Sequence, residues 1–171
     1  MSPGAAAGPG GAPVRLAMVC LGNICRSPMA EVVLRDRLDA AGLAGVETVS
    51  AGTGDWHVGE PMDPRAAATL TAAGYDPSRH RARQWPVGEP TDYALVLAMD
   101  GANLSALRHQ GCPPEVTRLF RDFDPLGRGA DVPDPYYGGD DGFVEVLDMV
   151  ERTSDEIVAW LRDRVGPGAG G

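Results

Sequence analysis

Apolar positions along the chain fall into two alternating rhythms. Short apolar-rich stretches at 15–19 (RLAMV), 46–50, 93–99 (YALVLAM) and 116–120 have the length of strands, and the first and third are dense enough to be buried on both faces. Between them the apolar spacing turns helical. Over 28–41, Met29, Val32, Val33 and Leu38 share one face, with Ser27 expected as N-cap, Pro28 in the first turn and Gly42 as the stop. A loop carrying Trp56 follows the second strand, and Asp63-Pro64 then opens a helix over 65–73 that Gly74 ends. A helix is expected over about 102–109. A longer one over 142–165 turns Phe143, Val146, Leu147, Val150, Ile157, Val158 and Leu161 towards the core. Strands alternating with helices predict an α/β fold around a parallel sheet, in which ligands bind beyond the carboxyl ends of the strands. The first strand ends at Cys20, which puts the loop after it in that place.

Composition changes this picture mainly at the ends. Residues 1–13 and 166–171 are Gly/Pro/Ala-rich and lack apolar side chains to offset the entropy of ordering, so both are expected to be disordered tails around one domain at 14–165. No stretch reaches the apolar length of a membrane span, and the N-terminus lacks the pattern of a signal peptide. A cytoplasmic location is expected, with export that uses no leader left open. Three cysteines, an odd number, fit a reducing compartment better than a disulfide framework, and no Cys/His cluster has zinc-site spacing.

Charge sharpens the exclusions. All 15 basic residues are arginine; residues 1–83 balance to zero, and 84–171 carry the whole net charge of −9. Such a chain repels nucleic acid and anionic membranes, and takes an anionic substrate only into a local cationic pocket. A monomer is expected, because no exposed apolar face stands out.

One loop could make that pocket. Cys20-Leu21-Gly22-Asn23-Ile24-Cys25-Arg26-Ser27-Pro28 runs from a strand through a tight turn into a helix N-terminus. Backbone N–H groups of such a loop can converge on an anion, aided by the helix dipole. Gly22 and Asn23 tolerate the left-handed backbone this needs. Arg26 offers a planar fork to two phosphate oxygens. The same positive field favours a thiolate at Cys20, the nucleophilic form, and Ser27 is placed to donate its hydroxyl to it. A bare Cys-x5-Arg is short enough to arise by chance; the strand before it, the helix after it and the residues within it argue for function.

VCLGNICRSP closely resembles the signature of the low-molecular-weight protein tyrosine phosphatases, and the likeness continues in order over about 14–165. Ser50-Ala51-Gly52-Thr53 with Trp56, Gly59, Asp63 and Arg65 resembles a second block of that family. His80-x-Ala82-Arg83-Gln84 resembles a third, and Asp134-Pro135-Tyr136-Tyr137 its general-acid loop. The resemblance implies a four-stranded parallel sheet of order 2-1-3-4, flavodoxin-like, with helices on both faces. It implies hydrolysis of phosphotyrosine in proteins through a cysteinyl-phosphate, with Cys20 as nucleophile and Arg26 with the amides of Leu21, Gly22, Asn23, Ile24 and Cys25 holding phosphate. Asp134, which alone would read as an Asp-Pro turn residue, becomes the general acid and base. Asn23, Ser50 and His80 would form a hydrogen-bond network behind the loop, and Trp56, Tyr136 and Tyr137 would wall the cleft. Cys25 would form a reversible disulfide with Cys20. The paired tyrosines are phosphorylation sites in the family. No metal or organic cofactor is implied. His57 and His109, matching nothing, are expected on the surface, and Cys112 reads as an incidental loop cysteine.

Three other functions fit the loop less well. An arsenate reductase needs a relay of further cysteines, and only Cys112 lies beyond the loop. A protein arginine phosphatase carries a threonine where this loop has Ile24, whose branched side chain would crowd a phosphoguanidinium. A non-catalytic phosphate-binding or redox-sensing module would usually lack one of the nucleophile, clamp and acid, and all three are present.

Overall fold

The computed structural model describes residues 14–43, 45–86 and 92–165. Both expected tails lie outside these residues. The elements run β1 (Val14–Cys20), α1 (Arg26–Ala40), β2 (Val46–Gly52), α2 (Pro64–Ala72), β3 (Leu95–Ala98), α3 (Gly101–His109), β4 (Thr117–Leu119) and α4 (Asp140–Val165), with a 3-10 turn at Phe120–Phe123. The strands form one parallel sheet in the order β2-β1-β3-β4.

β1 is central and buried on both faces. Its alternate side chains divide between two cores, as the two-residue period of a strand requires. Leu16 and Met18 join Val33, Leu34 and Leu38 of α1, Leu70 of α2, and Phe143, Val146, Val150, Ile157 and Leu161 of α4. Ala17 and Val19 face Val96, Ala98, Leu107 of α3, and the aromatic pair Trp85 and Tyr93. Each fully buried large apolar side chain contributes roughly 1.5–3 kcal/mol, so the packed faces, rather than intrinsic helix propensity, hold these helices.

Three expectations are corrected. α1 begins at Arg26, not Pro28, and Ser27 is not its cap: the N-cap is Cys25, with no side-chain cap bond. Ser27 is fully buried within the first turn and bonds to Cys20 instead, and Pro28 falls where a helix has no intrahelical use for an N–H. β3 is shorter than 93–99, because Tyr93 leaves the ladder to pack on Trp85 and under Arg15, whose guanidinium lies 4.5 Å from its ring centre. β4 stops at Leu119, where the chain turns to drop Phe120 into the core.

Asp124, just after the 3-10 turn, is completely buried and ties that turn to α4. It accepts from Arg121 Nε at 2.9 Å, from Arg152 Nε at 2.7 Å and from the Leu126 amide at 2.9 Å. The bond from Arg152, above all, outweighs burial and holds its carboxyl well below the usual carboxylate range. Breaking a buried pair costs about 3–5 kcal/mol, and because both arginines keep some contact with water we expect Asp124→Asn to lose about 2–3 kcal/mol in urea unfolding at pH 7. A depressed folded-state pKa stabilises above the unfolded value of about 3.9 and is lost as pH falls through the folded one, so the gap between wild type and variant should narrow below about pH 4.

Candidate active site

The loop between β1 and α1 is held in shape by Asn23. This residue is fully buried, sits at φ 58°, and uses every polar atom it has. Its Oδ1 accepts from the Arg83 amide at 2.9 Å, which turns Nδ2 towards two hydroxyls, Ser27 Oγ at 2.8 Å and Ser50 Oγ at 3.0 Å. Its carbonyl accepts from His80 Nε2 at 2.6 Å. Burial lowers the His80 pKa, so the ring is a neutral donor to that carbonyl. The network expected behind the loop is therefore present, and Arg83 joins it.

Cys20 Sγ lies at the loop's centre, 3.2 Å from the Asn23 amide and 2.9 Å from Ser27 Oγ. Ser27 Oγ accepts from Asn23 Nδ2, which leaves its own proton free to donate to the sulfur. Cys25 differs: burial first, then Asp63 and Cys20, push its thiol far above the ordinary range and keep it protonated.

Arg26 is buried, with 3% of its surface exposed. Burial works against its charge, but Cys20 and Asp100 outweigh it and keep the guanidinium ionised. Nη1 donates to Asp100 Oδ2 at 2.7 Å and to the Val132 carbonyl at 3.1 Å, while Nη2 lies 3.7 Å from Asp134 Oδ2. Among the described residues Nε and Nη2 make no hydrogen bond, and they face the cavity above Cys20, with Asp134 beside Nη2. Sequence reasoning missed Asp100. It caps α3 through Oδ1, bonded to the Asn103 amide at 2.8 Å, and anchors Arg26 through the other oxygen. An acid between a strand and a helix signals a cap, and nothing local signals the second task.

Above the sulfur opens a cavity of about 390 Å³, lined by the loop from Cys20 to Arg26 and by Trp56, His57, Asp134, Tyr136 and Tyr137. The two tyrosines meet edge to face, ring centres 4.9 Å apart. Arg65, paired with Asp63 at 3.1 Å, lies 5.4 Å from the centre of the Tyr136 ring and braces it. Trp56 stands at the rim, 67% exposed, with its ring over Gly54 of the same loop. Asp134 is exposed at the rim, where Oδ1 accepts from the Tyr136 amide at 3.0 Å. His57, expected on the surface, lines this cavity. It is half-buried at the cavity mouth beside Gly22, with Nδ1 3.0 Å from Glu60 Oε1. Its place next to Trp56 in the chain was the only available hint. His109 is exposed at the end of α3, and Cys112 is buried in the core on the α3 side of the sheet. Among the described residues no group of three or more His, Cys, Asp or Glu side chains is arranged to hold a metal ion.

The parallel register sets Gly52 of β2 opposite Cys20. A Cβ at Gly52 would lie 2.7 Å from the Leu21 carbonyl oxygen and 3.3 Å from Asn23 Cβ. Backbone cannot yield there without moving the loop. Gly52→Ala is therefore expected to lower kcat/KM about a hundredfold, the cost of a misplacement near 1 Å, while the fold persists. Turnover measured beside a thermal melt checks this.

The family model described as low molecular weight phosphotyrosine protein phosphatase matches residues 15–165. A low molecular weight protein-tyrosine-phosphatase of Streptomyces coelicolor is 49% identical over 158 residues, covering 88% of this chain and 95% of the relative. Low molecular weight protein-tyrosine phosphatase A of Mycobacterium tuberculosis is 42% identical, covering 90% and 94%. The solved structure of YfkJ from Bacillus subtilis superposes with a TM-score of 0.83 at 33% identity, covering 91% of this chain and 98% of that one. A protein tyrosine phosphatase from Entamoeba histolytica with Hepes in its active site gives 0.82 at 32% identity, covering 88% and 97%.

Proposed function

The chain belongs to the low-molecular-weight protein tyrosine phosphatase family, and from that premise we propose that its own residues divide the hydrolysis of protein phosphotyrosine as follows. The carrying observation is that Cys20, Arg26 and Asp134 meet in one aromatic-walled cavity. The Cys20 thiolate attacks phosphorus in line. The P–O bond to the tyrosine ring breaks, and the Asp134 carboxyl gives its proton to the departing phenolate. Loop amides from Leu21 to Arg26, with Arg26 Nε and Nη2, hold the phosphoryl oxygens as charge redistributes. The Asp134 carboxylate then takes a proton from water attacking the cysteinyl-phosphate. The S–P bond breaks with its electron pair going to sulfur, Cys20 leaves as a thiolate that accepts a hydrogen bond from the Ser27 hydroxyl, and inorganic phosphate departs.

Selectivity follows from depth and wall chemistry. Cys20 is 3% exposed at the cavity floor, beneath Trp56, Tyr136 and Tyr137. A phenyl phosphate reaches that floor and stacks on the rim, whereas a phosphoserine is short. Ile24, buried and apolar on the wall, disfavours a phosphoguanidinium. The substrates are phosphotyrosine proteins, which a cytoplasmic monomer would meet there. We also assign Cys25 a protective role under peroxide: Cys20 becomes a sulfenic acid, and the Cys25 thiol condenses with it to a disulfide, releasing water.

The test is hydrolysis of phosphotyrosine, phosphoserine and phosphoarginine by wild type and Asp134→Asn. Phosphotyrosine should be preferred, and the variant should slow it about 10²–10³-fold, within the range for a lost general acid. The loss should shrink for aryl phosphates with more acidic phenols. Phosphoarginine turnover equal to that of phosphotyrosine would overturn the selectivity, and a loss independent of the leaving group would take the proton-donor role from Asp134.

A further inference from the structure

A second cavity, about 480 Å³, lies behind the loop and shares its supporting residues. Ser50 and His80 belong to it, and Arg35, Arg79, Arg81 and Arg83 line it. Three of these arginines come from the five-residue stretch Arg79-His80-Arg81-Ala82-Arg83, in a chain of net charge −9. Arg35 is paired with Glu31. Among the described residues Arg79, Arg81 and Arg83 are in no ion pair. Arg81 donates only to carbonyls, that of His80 at 2.6 Å and that of Ser78 at 3.4 Å, and Arg83 Nε donates to the Ser50 carbonyl at 3.1 Å. The acids lining the cavity, Glu31 and Asp76, are already engaged, Glu31 by Ser50 and Arg35, and Asp76 by Ser78. The cavity therefore carries an excess of two positive charges, with guanidinium donors unspent.

We propose that this cavity is a second anion site, separate from the catalytic loop, that takes a multiply charged phosphate-type anion. Planar guanidinium forks from the 79–83 stretch, facing Arg35 of α1 across the same cavity lining, match phosphate oxygens, and this excess positive charge stands out on an acidic molecule. The site goes beyond the catalytic reading and reaches the same loop. Asn23 accepts from the Arg83 backbone amide at Oδ1 and from His80 Nε2 at its carbonyl, and donates from Nδ2 to Ser50 Oγ. An anion that shifts the 80–83 backbone or the His80 ring therefore bears on the one non-glycine residue that takes a left-handed turn among the described residues.

Calorimetric titration with inorganic tripolyphosphate tests this on wild type, Arg26→Ala and the double variant Arg79→Ala/Arg81→Ala. Saturable binding should persist within about threefold in Arg26→Ala and weaken at least about tenfold in the double variant, the scale of one lost charge-assisted contact. Basal turnover of the double variant should match wild type, and amide NMR signals of Asn23 and Ile24 should move on titration of Arg26→Ala. If Arg26→Ala fails to fold, wild type with its catalytic cavity filled by saturating phenylphosphonate replaces it. Binding lost with Arg26 or blocked by phenylphosphonate, yet unchanged in the double variant, would place the anion in the catalytic loop alone and overturn the second site. Binding that never saturates and fades uniformly with salt would reduce it to a diffuse field. Turnover without tripolyphosphate reports on the catalytic assignment by itself, so the two can fail independently.

Discussion

Cys20→Ser is expected to lower phosphotyrosine turnover by about 10⁶-fold, the scale of losing a nucleophile from a concerted site. A serine hydroxyl attacks only when a base removes its proton. The neighbours of this position are donors: the Asn23 amide at 3.2 Å and the Ser27 hydroxyl at 2.9 Å. They suit an anionic sulfur and do nothing to deprotonate an alcohol. The oxygen is also smaller and sits on a shorter bond, further from phosphorus. The anion cradle itself stays intact, since Asn23 keeps its bonds to Arg83, His80 and Ser50. Turnover should vanish while a phosphotyrosine peptide still binds with near wild-type affinity. A fall of only tenfold would mean that another group attacks phosphorus.

Arg26→Lys should cost about 10³-fold or more in kcat/KM, the scale at which an arginine stabilises a phosphoryl-transfer transition state. The charge survives the exchange, so the prediction isolates geometry. Arg26 spends Nη1 on Asp100 and the Val132 carbonyl, and offers Nε and Nη2 to the ligand. A lysine has one nitrogen for both tasks. Either it pairs with Asp100 at the cavity wall and leaves phosphate unclamped, or it reaches phosphate and leaves Asp100 without its partner. Both kcat and kcat/KM should fall, since the clamp matters most as charge moves. A rise in KM at unchanged kcat would reduce Arg26 to a ground-state anchor.

Much of this was legible from periodicity. The strands and helices of the α/β alternation appear where apolar runs and helical spacing put them, because each strand core and helix face is buried by local pattern alone. Boundaries departed where a side chain had a tertiary task. Ser27 looks like a cap and serves the sulfur; Tyr93 and Phe120 look like strand residues and leave the ladder to pack elsewhere. At the site, Cys20, Arg26 and the loop announced themselves through contiguous chemistry. Asp100 lies 74 residues from Arg26, and His57 had no motif of its own, so neither could be placed before the chain was folded. Contacts of that separation depend on register: the pairing of β1 with β2 and β3 decides which residues meet at the carboxyl edge.

The three tryptophans occupy three different environments. Trp56 stands out in water at the cavity rim, Trp85 is 3% exposed between the sheet and Tyr93, and Trp160 lies half-buried edge-on to Phe123 with Arg164 stacked on it. Their fluorescence should therefore separate by wavelength. Red-edge emission belongs to Trp56 and will dim when an aromatic ligand covers it, and blue-edge emission belongs to Trp85 and will move only when the core opens. One spectrum, read at its two ends, distinguishes a filled cleft from a melting protein without any label.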